Sequence, residues 1–461
     1  MKKHVLIFVS TLLFVLLFYK QSLGLNLSLF VIVLLGMDYA SKPNLLKNKR
    51  ANLLALCVLL SCFTHAWLFT FTTFMSVILS LFIFRYYTID PKLRLIIQAI
   101  VFCTNWFAFV VQFFQIDDWY QYDKSSNQKI FSKILSYIIL PLLITSVFVS
   151  IYISSSDILK SWYNEFEINV DAVIILVAIL GFYLSFVIWN VKIYQPFKVL
   201  SKSLRHNFNK GEKVSLRPTF EFSTLDFEKR SGVITLLCLN AILLMFIVIF
   251  NIEHFGSMPQ NSSDYSARIH EQINSIIGSI FLAMLVILFY FKGALNFIQN
   301  NKILQTLSKI WIVLNAVLIF SAIIQNTLYV DALGLTYKRL GVYLFLVLCS
   351  FGLFYTYYKV QHKKTNFYLF DKMSWTVYYL LIFCSLFNWG SIITKYNLTK
   401  ENVDLTYLNH QVTGNEKALL HYYQSINDKE STMEIRKNLE YQKNKKFLSS
   451  ELYYQTIPDK N

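Results

Sequence analysis

Apolar residues in this chain come in long unbroken runs, recurring from Val5 to Ile393, with the polar positions gathered between them. A helix needs about 20 mostly apolar residues to cross the roughly 30 Å of a bilayer's hydrocarbon. Only helices or closed barrels satisfy their backbone polar groups there. The runs are longer and less alternating than the barrel strands of about 10 residues that a membrane also accepts. The pattern therefore predicts an all-α fold, a polytopic transmembrane helical bundle of about twelve spans, short and tilted ones included. These lie at residues 5–19, 25–40, 51–64, 67–84, 95–114, 131–153, 172–190, 232–251, 273–291, 304–325, 340–358 and 375–393. The third and fourth are separated only by Thr64, His65 and Ala66. One crossing plus a re-entrant piece is the alternative for that pair.

The pattern changes twice. Within the basic loop 192–230, Phe197, Leu200, Leu204 and Phe208 recur at helical spacing with Lys198, Lys202 and Arg205 between them. An apolar stripe flanked by bases predicts a helix lying on anionic headgroups. After the transmembrane domain, residues 1–393, the tail 394–461 reads as a small soluble helical module. Leu405 and Leu408 on one short helix face Leu419 and Leu420 on the next across a Gly-Asn turn, and the Lys- and Glu-rich stretch from Asn427 on is expected to fray. The amino-terminal lysines and the apolar stretch behind them resemble a signal peptide without a small-residue cleavage site, so an uncleaved first helix is expected.

Composition agrees. Of 461 residues 55% are hydrophobic and 15% charged, against roughly 25% charged in soluble proteins. The net charge of +16 is no sign of nucleic acid, because the bases collect in the gaps between spans as the positive-inside rule expects. That rule puts 192–230 and 359–372 in the cytoplasm, the tail and 253–268 outside, and the protein in a cell (inner) membrane as a multi-pass chain. Counting back to the start leaves the basic stretch 42–50 and the amino terminus outside, against the rule. The six cysteines lie inside apolar runs without the paired spacing of a disulfide frame or zinc site.

Ionisable residues inside a bilayer flag function. Asp38, Arg85, Asp157 and Arg268 fall near span ends, where side chains can reach water. What remains is neutral: Gln98, Asn105 and Gln112, spaced by sevens, and Asn240 alone in its span are the candidate polar cavity. The bland alternative is interhelical hydrogen bonding, worth about 0.6 kcal/mol per contact. No metalloprotease, nucleophile-elbow or phosphate-loop motif is present. No metal site, cofactor or catalytic residue is expected. His270 and Glu271 are the most site-like pair, but adjacent helical residues point about 100° apart.

Tyr329, Gly334-Leu335-Thr336, Arg339 and Tyr343 resemble a signature of a bacterial family of multispanning membrane proteins. The family is catalogued as a domain of unknown function, the one numbered forty-one seventy-three, related to forty-one fifty-three. Further pieces fall in the same order: GLN at 24–26, SSSD at 154–157, Tyr265 with His270 and Glu271, KGALNF at 292–297 with Asn296, Trp311 and Asn315, KYNL at 395–398 with Tyr396 and Asn397, and DLTYL at 404–408. Two positions depart from the pattern. Gly390 follows Asn388-Trp389 where an acidic residue is common, and Gln325 stands where a base is common. The resemblance implies a membrane protein and supplies no reaction. Arg339 paired with Asp331 or Glu271 is the expected contact on the shared outer side.

Three functions fit. The favoured one is a non-enzymatic membrane protein of envelope assembly, homeostasis or sensing, with the bilayer and anionic headgroups as partners and the tail free for a protein. The second is a transporter or flippase with a neutral polar cavity. The third is a membrane enzyme acting on lipid-linked substrates.

Overall fold

A computed structural model of the chain describes residues 2–120, 137, 140–156, 159, 161, 171–208, 224–256, 262–298, 301–401 and 403–458. Among these the chain is helical, without a strand and with one isolated bridge between Asn207 and Lys364. In the first half the helices are α1 (Lys3–Phe18), α2 (Leu25–Ser41), α3 (Lys49–Trp67), α4 (Phe71–Ile89), α5 (Leu95–Phe107), α6 (Phe109–Phe114), α7 (Leu140–Ser155), α8 (Ala172–Trp189) and α9 (Gln195–Ser203). In the second they are α10 (Leu225–Gly256), α11 (Ser262–Tyr290), α12 (Lys302–Leu333), α13 (Tyr337–Gln361), α14 (Asn366–Ser385) and α15 (Trp389–Asn397). The tail adds α16 (Leu405–His410), α17 (Glu416–Ser425) and α18 (Lys429–Lys443).

Among the described residues six helices, α3, α4, α8, most of α10, α12 and α13, are long and apolar enough to cross a membrane, or seven if α14 and α15, bent by 63° at their junction, count as one. Residues 51–84 form two helices. Asn48 caps α3, its Oδ1 accepting from the Arg50 and Ala51 amides, and a capping box of Thr70 and Thr73 starts α4. The alternative of one crossing with a re-entrant piece is thereby corrected for this pair.

Helix ends alternate between two faces. On one face the α1–α2 turn meets the tail through the Leu25 amide and Ser450 carbonyl (3.2 Å), and the α3–α4 turn through the Phe69 amide and Glu451 Oε2 (2.8 Å). The start of α8 joins them, Tyr19 donating to Asp171 at 2.7 Å. On the opposite face Lys42 donates to the Thr88 carbonyl (2.9 Å), the Arg94 amide to Ser201 (3.1 Å), and the Thr365 amide to the His206 carbonyl (3.1 Å). Residues 42–50, 90–94, 192–206 and 362–372 thus share one strongly basic face with the amino terminus, whose Lys3 donates to the Asp118 carbonyl at 3.3 Å.

The expectation that 42–50 and the amino terminus lie on the other side is corrected, and the reason is the fifth segment. Its helix breaks at Ala108. The chain then turns back: Asn105 Oδ1 accepts from the Lys192 amide (2.8 Å), and Asp118 pairs with Lys192 further on. Residues 95–119 therefore start and finish at the basic face.

Two apolar cores carry the packing. One unites α1–α4 and α8, with Tyr378 and Ile382 of α14; the other unites α10–α13. At about 25 cal/mol per Å² such burial stabilises only against water. Inside lipid, cohesion rests on close packing and interhelical hydrogen bonds. Within the described residues the stretch from Asn427 on is docked rather than frayed: α18 packs through Leu439, beside buried Tyr453, Tyr454 and Ile457, onto Leu68 of the α3–α4 turn. Leu408 and Leu419 are buried with Val330, Leu335 and Ile393.

Candidate functional site

At the face carrying the tail, the motif residues lock turns together. Gly334 adopts φ +81°, and a Cβ there would sit 2.8 Å from Asn397 Oδ1, so only glycine suits the position. The Asn397 amide grips the backbone of the next residue twice, accepting from the Leu335 amide (2.6 Å) and donating to its carbonyl (2.9 Å). Thr336 caps α13 by accepting from the Arg339 amide. Arg339 turns back onto the end of α12, donating to the Leu333 carbonyl (2.7 Å) and to Gly334, with its guanidinium 3.9 Å from the Tyr329 ring centroid. A cation at a helix carboxyl end meets the negative pole of the helix dipole. Asp331 accepts from Tyr396 (2.6 Å) and Lys400 (3.3 Å) and not from Arg339, which corrects that half of the expected contact; the Glu271 side chain lies outside the described residues.

At the basic face the same device recurs. The Phe291 carbonyl, ending α11, accepts from Asn296 (2.8 Å) and from the buried Lys359 ammonium (2.7 Å). Asp38 and Arg85 do not reach water. Their side chains are 3% and 7% exposed and paired with each other, and Arg85 Nε donates to the Ile188 carbonyl at 2.9 Å while its guanidinium lies 4.5 Å from the Trp189 ring.

The neutral polar candidates do not meet in one place. Gln112 donates to Asn105 (3.1 Å), and Asn105 clamps the Lys192 backbone, with the helix between them broken rather than presenting one face. Gln98 donates to the Leu93 carbonyl. Asn240 ties α10 to the Leu307 carbonyl of α12 (3.1 Å), and Asn315 donates to Trp311 within α12. The expected surface helix is shorter than its stripe: α9 stops at Ser203, and Phe197 and Leu204 pack inward onto Tyr86, Leu93, Ile97 and Val101. Tyr265, His270 and Glu271 lie on α11, their side chains outside the described residues, as is Asp157.

Two features escaped the sequence reading. One is a buried hydroxyl chain across α3, α4 and α14: Ser61 lies 2.6 Å from Ser76 and 3.1 Å from Ser80, and Tyr378 donates to Ser80 at 3.2 Å. The four-residue spacing of Ser76 and Ser80 was its only trace. The other is the candidate site itself, a cleft of about 690 Å³ at the basic face.

Elements far apart in the chain build this cleft. The α2–α3 junction gives Arg50, the α4–α5 turn Lys92 and Arg94, α9 Lys202, and α14 Lys372. Tyr87, Trp375 and Tyr379 form aromatic walls, and Leu53, Leu54 and Leu95 part of its apolar lining. Asp371 also lines it, 2.9 Å from His206 Nε2. Burial holds the His206 imidazole below its usual pKa, against the opposing pull of Asp371. Among the described residues, none of the five cations forms an ion pair with a carboxylate. Arg50, Lys92 and Lys202 are exposed and Arg94 and Lys372 half-buried, and like charges gathered around one cleft raise the local concentration of anions. Only Gln98 of the candidate cavity residues borders it.

Residues 51–419 match the model of a family described as a domain of unknown function, DUF4153. No curated protein and no solved structure matches the chain.

Proposed function

The chain belongs to the DUF4153 family, for which no activity is described, and we propose from its own geometry that it is a non-enzymatic, multi-pass membrane protein that engages a phosphate-type anion at the basic cleft. The observation that carries this is the convergence of Arg50, Lys92, Arg94, Lys202 and Lys372 on one cleft without a carboxylate partner among the described residues. A role in sensing or envelope homeostasis suits a site of this kind. The buried charges Asp38, Arg85, Arg339 and Lys359 serve each other and helix ends, whereas the cleft cations face outward with no such partner among the described residues.

In this reading eleven helices, α1–α4, α7, α8 and α10–α14, cross the bilayer, and 95–119 re-enters without crossing. The basic face with the amino terminus is cytoplasmic and the tail extracytoplasmic, as the positive-inside rule prefers. The inner membrane of a bacterium is the setting this asymmetry fits, and the kinship with the family numbered forty-one seventy-three belongs to the same proposal. Exposed Ile426, Met433, Tyr441 and Phe447 on the tail suit a protein partner outside.

A transporter or flippase is the second reading. It is favoured by the re-entrant segment beside the cleft and the 63° bend between α14 and α15, since discontinuous helices build many transporter sites.

The test is thermal stabilisation of the purified full chain by inorganic pyrophosphate at constant ionic strength. The midpoint is expected to rise with pyrophosphate and not with chloride, and Arg94→Gln/Lys202→Gln is expected to abolish the difference. Equal responses to both salts in the unaltered protein would refute anion binding at the cleft.

A further inference from the structure

The cleft has a charge surplus and an opening, and the two together narrow what it holds. Five cations face one carboxylate, Asp371, which is already engaged by His206. A headgroup with a single phosphodiester offsets one of them. A volume of about 690 Å³ falls inside the ~300–1,000 Å³ of small-ligand sites. It has room for a headgroup and not for its chains.

The apolar part of the cleft wall continues along the bundle. Leu53 and Tyr379 line the cleft and are themselves 51% and 42% exposed. From Leu53, Leu60 and Trp67 follow on the same side of α3; from Tyr379, Phe383 follows on α14. All three are exposed, Phe383 at 51%. α3 and α14 pack against each other on the adjoining sides, where Thr64 meets Ser385 and Tyr378 lies in the core with Cys57. Exposed apolar side chains on both helices thus continue the cleft's apolar wall along the seam.

Resting on the anion-binding reading above, we infer that the ligand is a membrane lipid whose headgroup carries two phosphates. The phosphates sit among Arg50, Lys92, Arg94, Lys202 and Lys372, and the acyl chains lie along the α3–α14 seam. Charge complementarity selects the headgroup, and continuity of cleft and seam selects a lipid over a free diphosphate. Arginine grips phosphate oxygens in bidentate geometry while lysine acts as a point charge, so Arg50 and Arg94 orient the headgroup and the lysines set its affinity.

The experiment uses the purified full chain in mild detergent and native mass spectrometry to count retained lipid. The probes are tetraoleoyl cardiolipin, dioleoyl phosphatidylglycerol and dioleoyl phosphatidylcholine, with inorganic pyrophosphate as competitor. Cardiolipin is expected to be held at a concentration at least ~10-fold below that needed for phosphatidylglycerol, a difference of about 1.4 kcal/mol. Arg94→Gln/Lys202→Gln is expected to erase that preference, and the charge-keeping Arg94→Lys/Lys202→Arg to retain most of it, which separates loss of charge from loss of fold. Leu60→Ser/Phe383→Ser, at two exposed seam residues outside the cleft lining, is expected to weaken cardiolipin and leave pyrophosphate-induced stabilisation unchanged. Equal retention of cardiolipin and phosphatidylglycerol overturns the inference. If pyrophosphate stabilises the protein and the seam variant retains cardiolipin fully, the anion site stands and the lipid assignment falls. If neither pyrophosphate nor any anionic lipid binds, both fall.

Discussion

Separating Asp38 from Arg85 is expected to be among the costliest single changes in the first bundle. The side chains are 3% and 7% exposed. Removing one partner of a buried pair typically costs about 3–5 kcal/mol, because the other charge is left uncompensated. The surroundings make the two halves unequal. Asp38→Asn keeps an acceptor beside the guanidinium, which also retains the Ile188 carbonyl (2.9 Å) and the Trp189 ring (4.5 Å). Its cost falls at the lower end of the range. Arg85→Met strands a carboxylate near two helix-terminal carbonyls that lose their donor, and its cost falls at the upper end. The double variant Asp38→Leu/Arg85→Met buries no charge and leaves only the carbonyls unpaired, at ~1–3 kcal/mol. It should therefore be more stable than Arg85→Met alone. The assay is maleimide labelling of buried Cys57 and Cys62, both in the same core, in a Cys103→Ala/Cys238→Ala background that removes the two exposed thiols. At a factor of ten per 1.4 kcal/mol, the single variants should raise the labelling-competent fraction by about 10²- to 10⁴-fold. A double variant whose cost equals the sum of the singles would refute the argument, since residues in contact are expected to be non-additive.

Asn397→Ala leaves both backbone groups of Leu335 without their partner, at about 1–3 kcal/mol for each buried group. Limited proteolysis of the tail should accelerate accordingly, and a tail as resistant as in the unaltered chain would exclude the clamp. Burial, above all, raises the pKa of Glu416 and of Glu451, with the Phe69 amide and Lys445 opposing it at Glu451. A raised folded-state value stabilises docking below the ordinary glutamate value of 4.5, and that contribution is lost as pH rises through the raised one. Tail release, read by proteolysis, should therefore increase from acid towards neutral pH, less steeply in Glu451→Gln; an opposite slope counts against it. Single cysteines at Lys47 and Lys417 in a cysteine-free chain should label from opposite sides of sealed vesicles, and labelling from the same side would break the assigned topology.

Much of the architecture was legible in the linear pattern, because a bilayer forces long apolar runs into helices whatever their neighbours do. Each expected span overlaps a helix in the described residues, and Gly334 announces its turn. The sequence could not say that 95–119 turns back, since the segment is held at the basic face by the contact of Asn105 with Lys192, more than 80 residues away. It could not reveal that Asp38 and Arg85 are partners, because each alone sits near a span end. Nor could it foresee that Arg339 would turn to helix-end carbonyls rather than Asp331, a choice made by the geometry of the α12–α13 turn. Hydrophobicity is a local property, so the sequence alone determined which segments are helical and apolar. Five cations drawn from four separate stretches of chain meet in a cleft only because helix packing folds their ends onto one face, so tertiary structure alone decided where a ligand could bind.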